Sequence, residues 1–70
     1  MNWSRQHFLT EAVAQKDALA AVGGGSVIQA TLEKTDNPPV WSFDVRANNG
    51  NEYEVKVHAF TGRIVAIIGG

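Results

Sequence analysis

Apolar and polar residues alternate strictly over 52–59, with Tyr53, Val55, Val57 and Ala59 on one parity and Glu52, Glu54, Lys56 and His58 on the other. Period two is the signature of a strand with one buried face. Thr61 and Gly62 then reverse the chain into Ile64, Val65, Ala66, Ile67 and Ile68, a run dominated by β-branched residues, and the pair predicts a hairpin. The alternation also occurs upstream. Trp41, Phe43, Val45 and Ala47 stand against Ser42, Asp44 and Arg46, and within 26–33 Ile28, Ala30 and Leu32 share one side. Between these two runs, 34–39 reads as a turn, because Pro38 forces Asn37 out of helical geometry and neither proline can donate to a ladder.

From Thr10 the period changes. Residues 10–22 are rich in alanine and other good helix formers, with Thr10 placed to cap the N-terminus and Glu11 favourably set against the helix dipole. At about 100° per residue, Phe8, Ala12, Leu19 and Val22 fall in one arc, Leu9, Val13 and Ala20 widen it, and Asp17 lies outside. The glycines at 23–25 supply the left-handed residue that ends a helix. Residues 1–9 read as a polar lead-in from which Trp3 or Phe8 caps the core edge, and 10–70 as a single domain. The fold class is α+β, one N-terminal helix packed on a four-strand antiparallel meander sheet, with a core of Val13, Leu19, Val22, Phe43, Val45, Tyr53, Val55 and Val57.

Register follows from the turns. Residues 45–50 and 57–62 share the pattern V-x-A-x-x-G, so both turns are expected to be built alike. Directly opposed residues in an antiparallel pair share a face, and a two-residue turn at Asn49 and Gly50 would set Val45 against Glu54. A type I turn ending in a glycine bulge instead sets Val45 against Tyr53 and Phe43 against Val55. It joins Arg46 to Glu52 and leaves Asp44 facing Glu54, relieved by Lys56 on the diagonal. A register slipped by two would pair those charges better. The same turn at Gly62 sets Val57 against Val65 and Val55 against Ile67, which sends Ile64, Ala66 and Ile68 away from the helix. The last strand is then apolar on both sides, and Val40, His58, Ile64 and Ile68 are the expected interaction surface. A turn of different length at Thr61 and Gly62 would bring Ile64 and Ile68 inward instead.

Seventy residues permit one small core, whose net stability is expected not to exceed about 3–5 kcal/mol. A formal charge of −1 with 19% charged residues provides no basic patch for nucleic acid. No apolar run approaches the roughly 20 residues of a membrane span, so no membrane insertion by this segment is expected. The absence of cysteine excludes disulfides and thiolate metal sites.

Catalytic, cofactor and metal sites are not expected. The glycines at 23–25 follow a helix and precede a strand, whereas a phosphate cradle needs glycines ahead of a helix. His7 and His58 are far apart and in no ligand spacing, and Ser4, Ser26 and Ser42 have no evident base or orienting partner. Asp44, Glu52 and Glu54 belong to a solvated charge ladder, and Trp41 and Phe43 read as core.

Glu11-Ala12-Val13, Gly23-Gly24, Tyr53-Glu54-Val55, Val57, Ala59, Thr61-Gly62 and Ile64 together resemble the PepSY domain, the peptidase propeptide and YpeB domain. Its C-terminal motif reads Y-E-V-x-[VI]-D-A-x-T-G-x-[VIL], and the one clear departure is His58, where the family usually carries Asp. The resemblance implies a PepSY- or cystatin-like fold without catalysis. It also implies a secreted or cell-envelope setting and a protein partner, with inhibition of a metallopeptidase as the family's proposed role. A homodimer, or a structural or sensor module linking parts of a larger envelope protein, is the competing expectation.

Overall fold

The structure is a computed structural model and describes residues 7–70; the expected role of Trp3 lies outside them. One helix, α1 (Glu11–Ala21), precedes four strands, β1 (Gly25–Glu33), β2 (Val40–Ala47), β3 (Glu52–His58) and β4 (Ile64–Gly69). All neighbours are antiparallel and the sheet order follows the chain, β1-β2-β3-β4. This is the α+β helix-on-meander architecture that the periodicities predict.

Capping sets both ends of α1. Thr10 is extended, and its Oγ1 accepts the Val13 amide at 3.3 Å, with Glu11 in the first turn. At the other end the Gly24 amide donates to Leu19 O at 2.8 Å and the Gly23 amide to Ala20 O at 3.3 Å. This reciprocal pair is a Schellman closure, and it requires the positive φ of +81° at Gly23. The Gly24 carbonyl then accepts the Asn48 amide at 3.1 Å, while Asn48 Nδ2 donates to Gly23 O at 3.2 Å. The helix end is thereby tied to the β2–β3 turn.

The helix presents a different stripe from the arc of its larger residues. Ala14 and Ala18 are fully buried against Phe43, Val45, Val55 and Val57, whereas Val13 is 47% exposed and Ala12 and Ala20 face solvent. Leu19 and Val22 pack beside the core, as does Tyr53. Core volume comes from the sheet, and two alanines one turn apart let the helix approach it closely. Asp17, one turn after Val13, is half-buried, and a Cβ built on Gly62 would lie 2.5 Å from its Oδ2. That flank of α1 therefore faces the β3–β4 turn.

Strand β1 departs from simple alternation. Val27 opposes Val45 and Gln29 opposes Asp44, so Ile28 is an extra residue in a bulge and is 57% exposed. Ala30 and Leu32 keep the expected side, opposite Phe43 and Trp41. Between β2 and β3 the register is the expected one, with Val45 on Tyr53, Phe43 on Val55, Arg46 on Glu52 and Asp44 on Glu54, and Gly50 takes φ +89°. The two turns are not alike. Ala47 closes the first with Asn51, but Ala59 donates to Pro39 O at 2.9 Å and accepts from the Leu9 amide at 2.7 Å. With both backbone groups of Ala59 engaged, closure moves back to His58 and Arg63, and a bulge restores register beyond it. Val55 consequently opposes Ile67 as expected, while Val57 opposes Ile64 rather than Val65.

Candidate protein-binding surface

Among the described residues the helix packs chiefly on β1, β2 and β3 and leaves much of β4 exposed. Val65, Ile67 and Ile68 are 46, 46 and 50% exposed and Ile64 is 39% exposed. Ile67 opposes Val55 on the helix side and Ile68 opposes Glu54 on the other, so apolar surface wraps around the edge strand. Ile64 stands against the helix-side residue Val57 across the bulge, which corrects its expected position beside Ile68 on the outer face. Val40 and His58 are direct neighbours, but Val40 is only 2% exposed and offers no side-chain surface. Ile64 and Ile68 lie at opposite ends of β4, so the four expected residues do not make one patch. Val65 and Ile67 complete the surface instead. Their signal was the lack of any polar residue in 64–68, which deprives that run of a readable parity.

Among the described residues no strand pairs with the far edge of β4. Gly70 donates to Glu52 O at 3.0 Å, and Ile68 and Ala66 oppose Glu54 and Lys56. Because bonded pairs alternate along an antiparallel ladder, Ile67 and Gly69 direct their amides and carbonyls away from β3. β4 carries no charge between Ile64 and Gly69, the usual protection of a free edge.

The outer face is a network of charged side chains. Arg46 pairs with Glu52, and Lys56 Nζ lies 3.2 Å from Glu33 and 3.8 Å from Glu54. Glu54 also accepts from Ser42 Oγ at 2.8 Å, so its position opposite Asp44 is relieved from two sides. The hydrogen bond to Glu33 is the main reason that the Lys56 ammonium is held above its ordinary value of 10.5. Glu33, Glu52 and Glu54 are thus engaged in pairing. Among the described residues no group of three or more His, Asp or Glu is placed to hold a metal ion, and no helix is long and apolar enough to cross a membrane.

The N-terminal end of β4 is anchored by the β3–β4 turn. Phe60 stacks on Phe8 with centroids 4.7 Å apart, Trp41 Nε1 donates to Leu9 O at 2.9 Å, and His58 Nδ1 accepts the Phe60 and Thr61 amides at 3.2 and 3.3 Å. An aspartate carboxylate can accept from the same two amides, as in an Asx turn. His58→Asp is therefore expected to hold the melting temperature, and His58→Ala to lower stability by about 1 kcal/mol. Equal melts for the alanine variant and the parent would show that the acceptor is dispensable.

Among the described residues the molecule is a small sheet with one face packed by a helix and an exposed apolar edge strand. The model of the PepSY family, the peptidase propeptide and YPEB domain, matches residues 9–68. The chain belongs to that family. Comparison with curated proteins and with solved structures finds no match.

Proposed function

We propose that this domain is a non-catalytic regulator of a secreted or cell-envelope peptidase and acts by occlusion. Membership of a family described by peptidase propeptides supports a peptidase as the partner class. The observation that carries the mode of action is β4, where Val65, Ile67 and Ile68 are each about half exposed on a strand with one unpaired edge. Exposed apolar residues on a rigid sheet edge can lie across a peptidase cleft, with pairing of the edge backbone adding direction to the contact. The polar outer face remains solvated beside them.

The test is a panel of extracellular metallopeptidases assayed with the domain and with Ile68→Lys. Wild-type domain is expected to inhibit at least one of them, and the lysine variant to do so at least about tenfold more weakly while keeping its circular dichroism melt. Lack of binding to every peptidase, with the domain folded, would favour the structural or linking role instead. Equal inhibition by the variant would place the contact elsewhere on the domain.

A further inference from the structure

We propose that two copies of this domain associate through β4, edge to edge and antiparallel, about a two-fold axis at Ile67. This goes beyond the regulatory reading and stands without it; a dimer closed in this way occupies the edge proposed to meet a peptidase, so the two associations compete. A two-fold axis sets each strand against its own sequence, so a charged residue near the axis meets its like. β4 is free of that conflict, since Ile64, Val65, Ala66, Ile67, Ile68 and Gly69 carry no charge. β1, the other edge, is less suited, because the Ile28 bulge interrupts the regular ladder that self-pairing requires.

The geometry then closes on itself. With Ile67 of one copy opposite Ile67 of the other, Val65 falls opposite Gly69, and Ala66 falls opposite Ile68. The outward amide and carbonyl of Ile67 are satisfied by those of its counterpart, and the exposed parts of Ile67 and Ile68 are covered on the two faces. Two four-stranded sheets become one of eight strands with both helices on the same side. Val65 and Ile67 are each 46% exposed beside α1, which leaves their side chains available to a second copy. A formal charge of −1 per copy offers little long-range repulsion. The interface is small, so the association is weak and concentration-dependent.

Sedimentation equilibrium from about 10 µM to about 1 mM, the range in which small interfaces associate, tests this. Wild type is expected to pass from monomer to dimer. Ile67→Lys and Ile67→Glu alone are each expected to raise the dissociation constant at least about tenfold with melts retained, and an equimolar mixture of the two to recover association. Amide hydrogen exchange on the wild type requires no variant: Ile67 and Gly69 should slow as concentration rises, while Ile68, already bonded to β3, should not change. A wild type that stays monomeric would leave the edge to an extended segment of another protein and overturn the proposal. Association indifferent to either charge, a mixture that stays monomeric, or exchange independent of concentration would do the same.

Discussion

Phe43→Ala is expected to abolish the cooperative thermal melt. Phe43 is the largest fully buried side chain in the core, wholly excluded from solvent between its cross-strand partners Ala30 and Val55 and beneath the alanine face of α1. Its removal leaves a cavity that two flanking strands and a capped helix cannot collapse to fill. Large-to-small changes of this kind cost about 3–5 kcal/mol, which is about the whole stability available to a chain of this size. A variant with an intact melt would show that the packing of α1 on β2 is not what holds the domain together. Val55→Ala, at the neighbouring core position, should lie between this variant and the wild type.

Gly25→Ala should be nearly as damaging for a different reason. A Cβ there would lie 2.2 Å from Arg46 O and 2.8 Å from Ala47 Cα, and the backbone sits at φ +145°. The obstruction is backbone, not the end of a flexible side chain, so β1 and β2 must separate where Gly25 pairs with Ala47. Strain of this kind costs about 1–3 kcal/mol and the overlap adds to it, for a total of at least about 3 kcal/mol. Gly50→Ala supplies the contrast. Gly50 also has positive φ, at +89°, but nothing lies within 4 Å of an added Cβ, so only the conformational cost of about 1 kcal/mol remains. If urea melts gave equal losses for the two variants, close approach at Gly25 would not be the cause.

These two positions mark how far the chain could be read without coordinates. The strands, the first hairpin register and the placement of Phe43 and Val55 follow from alternation and from the requirement that opposed residues share a face, and the structure agrees with each. The helix ends follow from Thr10 and the glycines at 23–25. The face of α1 was less legible. An amphipathic arc weights large residues, whereas here close approach selects the small ones, Ala14 and Ala18.

The Ile28 bulge has no mark in the sequence, because β1 alternates plausibly without it. The second turn was misleading for a long-range reason. The echo V-x-A-x-x-G is real, but Leu9 and Pro39 claim the backbone of Ala59 from elsewhere in the chain. That displaced closure, with its bulge, moved Ile64 to the helix side, while Ile67 and Ile68 kept their expected faces. Val40 read as surface because its parity is polar, yet the folded sheet buries it between Glu33 and His58. The apolar run itself announced exposed apolar surface on β4, but its faces had to be assigned from the turn alone, which placed Ile67 and Ile68 correctly and Ile64 not.

A peptidase bound at the open edge of β4 would cover backbone amides that the free domain leaves exposed. Amide hydrogen exchange, recorded on the domain alone at low concentration and again with a saturating amount of a peptidase that it inhibits, reads that edge residue by residue. New protection is expected at Ile67 and Gly69, whose amides face away from β3, with little change at the outer-face residues Asp44 and Arg46 on β2. Inhibition accompanied by protection elsewhere, with Ile67 and Gly69 exchanging as fast as in the free domain, would contradict it.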